Sequence, residues 1–369
     1  MEKFDHTVAY GFILHEKKAW FYNYTYGAIF ELDLNSHTIE LLWKDEDVSF
    51  WLKNQYGGGV WHNNKLYFAP REANRILVYD LLEKSVSYID FDYTLVNNKQ
   101  FHNKFVDAIE YNDCIYFFPG RFKAIVKLDT RSFQISFISD WIDMIGGQGD
   151  ASKVYFSVVK HIGGGIFMLP CWQLNAYIQF DANKEQCEIQ AIGEGEISDL
   201  LFVDNEIWIA NKNEPYIDIY SKDLILKKHI NVNCNAAMGK GGCRHIFEVN
   251  NRIFVIPFCG DAMIEICNHG EYINKVFQFP TSFTEYMWEV SRVDKNTFAL
   301  EISDDRAIIY ECRKGEILHI DGNNDPCIFN TWLNGKSSIE IESNAKRICI
   351  KELQIEGRGL QIDEFIHLV

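Results

Sequence analysis

Lys65-Leu-Tyr-Phe-Ala-Pro70, followed after four residues by Arg75-Ile-Leu-Val-Tyr-Asp80, is the stretch that decides the architecture. An apolar run stops at a proline, a short polar loop intervenes, and a second apolar run stops at an aspartate. The same phrase returns as Cys114-Ile-Tyr-Phe-Phe-Pro119 with Ala124-Ile-Val-Lys-Leu-Asp129, and as Gly165-Ile-Phe-Met-Leu-Pro170 with Ala176-Tyr-Ile-Gln-Phe-Asp181. Looser copies complete a set of seven whose second runs end at Asp33, Asp80, Asp129, Asp181, Ser221, Cys267 and Cys312, at intervals of 40 to 52 residues. A sequence similar to itself at such a period is an array of one supersecondary unit.

Each interval holds four short apolar runs. In the second they are Gly58–His62, Leu66–Ala69, Ile76–Tyr79 and Val86–Phe91. The runs are four to six residues long, rich in β-branched and aromatic types and bounded by turn residues, which marks strands rather than helices. Asn63-Asn64 makes the first hairpin turn, with counterparts at Asn112-Asp113, Gly163-Gly164, Asp204-Asn205, Asn250-Asn251 and Asp294-Lys295; most of these residues tolerate positive φ. Only Asp140–Ile145 and Asp47–Asn54 read as short helical insertions. The pattern predicts an all-β chain: a seven-bladed β-propeller of four-stranded antiparallel blades over residues 1–321. A strand-containing tail over 322–369 packs on the ring or closes it; the alternative is an eighth, degenerate blade. An aromatic content of 15% suits the wedges between twisted sheets.

On these repeats, from about Thr7 to Asp321, the chain resembles the broad propeller class that includes Kelch, WD-type and YVTN-type repeats. Neither the Gly-Gly pair of Kelch repeats nor the Gly-His and Trp-Asp pairs of WD repeats stands in register, so the resemblance implies a fold and no ligand.

The net charge of −16 disfavours nucleic acid and anionic membranes as partners. Met1-Glu-Lys-Phe-Asp-His6 lacks the apolar core of a signal peptide. Ten cysteines without a Cys-x-x-Cys pair argue against a structural zinc site. Together these place the chain in a reducing cytoplasm.

In propellers the first strand of each blade lines the central channel, and the loops entering it form one face where ligands bind, an expectation from fold alone. Five residues before each first turn stand Gly11, Gly58, Asp107, Val158, Asp199, His245 and Glu289. Their successors, such as Ala108, Leu200 and Ile246, are mostly apolar, so period-two alternation aims the first set at the channel and packs the second between blades. Asp107, Asp199, His245 and Glu289 would then converge. They suit a divalent cation, or a general acid/base set in which like charges raise one another's pKa; the plain alternative is a wet pore lined by solvated side chains. As a metal-dependent lyase, hydrolase or isomerase, the chain would use His245 or Glu289 as base and Arg244 to steady a developing anion.

Around the mouth, Tyr24, Tyr26, Trp172, Tyr286 and Trp288, with Arg71, Arg121, Arg244 and Arg306, offer a pocket for a sugar ring, a peptide or another planar ligand; otherwise the aromatics pack between blades and the arginines face solvent. Gly239-Lys-Gly-Gly242, Tyr56-Gly-Gly-Gly59 and Gly146-Gly-Gln-Gly-Asp150 are loops that allow close backbone approach. Cys243, beside Arg244 and His245, is a nucleophile or a buried small residue. The sequence favours a module that binds a small molecule, glycan or peptide. The enzyme stands second, and a scaffold for a protein partner third.

Overall fold

The structure, a computed structural model, describes residues 13–23, 27–33, 38–45, 55–92, 103–146, 154–171, 173–193, 195–232, 242–249, 252–257, 262–267, 270, 272–278, 287–294, 297–302, 306–311 and 316–321, with the backbone alone beyond residue 274. They form seven four-stranded sheets, each built from four consecutive strands paired antiparallel throughout. In the second sheet the strands are Tyr56–His62, Lys65–Pro70, Arg75–Asp80 and Ser85–Asp90. Each contains or overlaps the stretch expected for it.

The hairpin turns follow from residue chemistry. Asn63 and Asn64 have φ of 47° and 59°, Asn112 and Asp113 50° and 58°, and Asp204 and Asn205 49° and 62°. Two successive positive φ values make the tight turn whose twist matches the strands it joins. Asn250-Asn251 lies outside the described residues. The recurring aspartate has a different duty. Asp80 Oδ1 accepts the amides of Leu82 and Glu83, Asp129 Oδ1 those of Arg131 and Ser132, and Asp181 Oδ1 those of Asn183 and Lys184. Each carboxylate thus closes the turn between third and fourth strands. These amide bonds hold Asp80 and Asp129 below the usual carboxylate range; at Asp181 the Lys184 ammonium leads.

First strands lie side by side in two runs: Ile13–His15 against Tyr56–His62 and that against Phe105–Tyr111; then Lys160–Gly163 against Ile197–Val203, that against Cys243–Val249, and that against Met287–Asp294. The third and fourth sheets meet through an aromatic wedge in which Phe118 faces Phe167 at 4.9 Å and Tyr116 faces Phe180 at 5.5 Å. The helix Asp140–Gly146 fills the outside of that wedge with Trp141, whose ring meets Phe156 edge-on at 5.4 Å. Each such ring, almost wholly buried, is worth roughly 1.5–3 kcal/mol in area removed from water. The sequence expected this helix; the insertion expected at Asp47–Asn54 and the tail 322–369 lie outside the described residues.

Asp129→Ala is expected to lower the thermal midpoint while leaving the far-ultraviolet spectrum unchanged, and Asp129→Asn, which keeps an acceptor on the turn, to lower it less. Equal losses in both variants would show that the turn acceptor is not what the aspartate supplies.

Candidate functional site at the entry face

One irregularity shapes the inner wall. Where first and second strands begin to pair, the register slips by one residue. Phe118 pairs with Asp107 and Pro119 with Phe105, so Val106 is extra. Ser198 is extra in the fifth sheet, Arg244 in the sixth and Trp288 in the seventh. In the second sheet the slip falls between Tyr56 and Gly59. Such bulges re-aim the side chains beside them. Asp107, Asp199, His245 and Glu289 each follow the extra residue directly.

The consequence is clearest at Asp199. The expectation of a solvated position in a channel fails for it: Asp199 is fully buried and His245 nearly so. Asp199 Oδ1 accepts its own successor's amide, Leu200 N–H, at 2.7 Å. Its Oδ2 accepts Ile246 N–H at 3.1 Å, lies 3.2 Å from His245 Nδ1 and 3.0 Å from Lys160 Nζ. Lys160 also donates to the Ile246 carbonyl at 3.1 Å. One carboxylate therefore ties three consecutive sheets. Serines run the same course: Ser157 donates to the Ser198 carbonyl at 2.9 Å, and Ser198 to the Cys243 carbonyl.

Burial by itself would raise the Asp199 pKa; the Lys160 ammonium and the His245 ring outweigh it and hold the carboxyl below its usual range. Burial lowers His245, with Arg244 and Lys160 adding to it, against the pull of Asp199. A neutral ring beside an ionised carboxylate donates Nδ1–H to it. The group that meets this carboxylate is an ammonium on a neighbouring sheet. Among the described residues no three His, Cys, Asp or Glu side chains are grouped as a metal ion requires, so Asp107, Asp199 and His245 make no such cluster; the Glu289 side chain lies outside the described residues.

Asp107 copies half of the Asp199 arrangement, accepting Ala108 N–H at 2.8 Å. It rests on Gly58, where a Cβ would stand 2.3 Å from its Oδ1. The rest of the expected set is dispersed. Arg71 is buried and gives Nε and Nη2 to Asn103 Oδ1 at 3.2 and 2.6 Å. Arg121 is exposed, 5.6 Å above the Tyr155 ring. Arg244 is buried beside His245. Cys243 is fully buried among Ile246, Val255 and Ile264, the small apolar residue of the two readings. Tyr24, Tyr26, Trp172 and Tyr286 lie outside the described residues; of Trp288, Glu289 and Arg306 the backbone alone is described, in strands Met287–Asp294 and Arg306–Glu311.

A cavity of about 300 Å³ opens on the same face, at the seam of the first two sheets. Its walls are Asp45 and Gln55 from the connection between the sheets, and Glu72, Asn74 and Arg75 from the loop after Pro70. Tyr56 and Tyr88 complete it, with the Arg75 guanidinium 4.2 Å above the Tyr88 ring. The Gln55 carbonyl accepts the amides of Arg71, Glu72 and Ala73. Lys104, from the third sheet, donates Nζ to the carbonyls of Glu72 and Ala73 at 2.6 and 3.1 Å; burial brings its pKa down to about 8. The sequence reading missed this seam and Lys160. Lys160 had a signal: it stands two residues after Val158, on the same face by alternation.

Removing one partner of a buried ion pair costs about 3–5 kcal/mol, whereas replacing both with apolar residues costs far less. Asp199→Leu alone is therefore expected to destabilise the chain strongly toward urea, and Lys160→Met with Asp199→Leu to recover part of the loss; additive losses would mean that the two groups do not interact. A His245 pKa below its usual 6.5 means that the unfolded chain binds the proton first. Its contribution is complete above pH 6.5 and is lost as pH falls through the folded value. Urea midpoints of wild type and His245→Gln are expected to converge below pH 6, and a gap that widens there would reverse the sign.

No family model matches the chain, and no curated protein does. Solved structures do. YCF48 from Cyanidioschyzon merolae aligns at a TM-score of 0.61 and 12% identity, over 85% of this chain and 98% of that one. The Cps50 (Swd1) beta-propeller domain of Myceliophteria thermophila gives 0.55 and 10%, over 86% and 98%. The extracellular domain of the putative one component system BT4673 from B. thetaiotaomicron gives 0.56 and 11%; the match covers 81% of this chain and 38% of that one. Likeness at such identities carries the fold alone, and with four-stranded antiparallel sheets set side by side along their first strands it identifies the chain as a β-propeller.

Proposed function

We propose that residues 1–321 close into a seven-bladed ring, with 322–369 packed on it, and that the ring is a binding module. It takes a small molecule, glycan or peptide on the face where the first strands begin. One observation carries the reading. The ionisable groups at the inner wall are engaged in tying sheets together, while the cavity on that face is open and polar-walled. Burial raises the thiols of Cys114, Cys171 and Cys187, away from the activated thiolate of a nucleophile. An extracellular domain of a putative one component system is a fold neighbour that suits a binding role. The described cysteines are free thiols, which agrees with a cytoplasmic setting, and the net charge keeps nucleic acid and anionic membrane as unfavoured partners.

A protein partner is favoured by a separate observation. Leu82, Phe133 and Ile225 are more than half exposed, all in turns between third and fourth strands, at the end opposite the cavity. Standing singly on three sheets, they would form a docking surface only for a partner broad enough to span them.

Thermal-shift screening against sugars, amino acids, nucleotides and short peptides tests the module. A ligand at about 100 times its Kd adds roughly 2.7 kcal/mol of stability, and its effect is expected to survive chelator. Turnover of a bound compound that chelator abolishes, with a metal retained through purification, would overturn the reading in favour of a metal-dependent lyase, hydrolase or isomerase.

A further inference from the structure

The seam cavity between the first two sheets has the build of a ligand site rather than of an incidental cleft. Its volume, about 300 Å³, stands at the lower end of the range for small-molecule pockets. Its loop wall is fixed before any guest arrives. Three amides converge on the Gln55 carbonyl, and the Lys104 ammonium clamps two carbonyls from behind. A wall already ordered spares a ligand the entropy of ordering it.

A second observation lies directly behind this wall. The Tyr22 hydroxyl is buried and has no hydrogen-bond partner among the described residues. Its ring meets that of Tyr56, a wall residue, edge-on at 5.1 Å. The groups acting on it electrostatically are Tyr56, Asp45 and Tyr88, which all line the cavity. Burial raises both Tyr22 and Tyr56 far above the usual phenol value, so each stays a neutral O–H.

The chemistry of the walls selects the guest. Two carboxylates, Asp45 and Glu72, are balanced by the Arg75 guanidinium and the Lys104 ammonium, so the site has little net field for an ion. Carboxylates accept, the guanidinium donates, and amides and phenols do both. Two tyrosine rings supply the apolar contact. A neutral ligand that carries many hydroxyls on a small ring satisfies such a wall at every edge; a phosphate meets two carboxylates, and a hydrocarbon leaves the polar groups unpaired at a cost.

We infer that the cavity bounded by Asp45, Tyr56, Glu72, Asn74, Arg75 and Tyr88 is a binding site for a neutral saccharide of one or two rings. The inference rests on the binding-module reading and narrows it to one place and one ligand class.

Titration calorimetry on the full chain tests it. The probes are glucose, galactose, mannose, N-acetylglucosamine, maltose and cellobiose, beside glucose 6-phosphate, glucuronate and glucosamine as charged analogues. The variants are Glu72→Ala, Asp45→Ala and the exposed Asn74→Ala, with Arg131→Ala at the opposite end as control. Circular dichroism and thermal midpoints show that each is folded. At least one neutral sugar is expected to bind, more tightly than its charged analogue. Each seam variant is expected to weaken it by about tenfold or more, with the control unchanged. Sugar binding that persists in all three seam variants, or charged analogues that bind more tightly, overturns the inference while the binding module stands. A non-saccharide ligand found by thermal shift, with no sugar bound, does the same. No response to any compound or partner overturns both.

Discussion

A single buried carboxylate sets the terms for the inner wall. Asp199 has no access to water, and an isolated charge there would cost several kcal/mol. It is tolerable only because donors from three sheets reach it: its own strand's Leu200 amide, the Ile246 amide and His245 ring beyond it, and the Lys160 ammonium before it. Each donor fixes the neighbour's distance and register as well as neutralising charge. Apolar wedges such as Phe118 on Phe167 hold sheets together but leave sliding cheap. Directional bonds to a buried anion do not.

The repeat made the architecture legible, because turns and strand ends are local matters. Asn63-Asn64 announces a hairpin by the conformations those residues tolerate, and both have positive φ. The terminal aspartate was legible as a marker but not as a device; its role as acceptor for the Leu82 and Glu83 amides appears only when the turn is formed. The register of Asp199 and His245 was also legible, and the structure brings the two together at 3.2 Å.

What escaped was the bulge. Strict alternation gives each strand residue one face, and an extra residue such as Ser198 or Arg244 shifts that assignment for the residues before it. Beside the extra Ser198, the Asp199 carboxylate accepts the Leu200 and Ile246 amides. The seam cavity escaped for a different reason. Asp45 and Tyr88 share a wall because two sheets lie side by side, and no spacing within one repeat encodes that. Part of the expected mouth, including Tyr24, Tyr26, Trp172 and Tyr286, lies outside the described residues.

The joints between sheets are unequal. At the fifth and sixth sheets the chain passes so close that a methyl group on Gly242 would sit 1.6 Å from the Lys212 carbonyl oxygen. Gly242 is thus a spacer of minimum thickness and leaves no room there for a guest. At the first and second sheets the seam opens instead on a hollow walled by side chains of both, among them Asp45, Tyr56 and Tyr88. A molecule seated there would touch the first sheet through Asp45 and the second through Tyr56, Glu72 and Tyr88 at once, and so would bear on the angle between them.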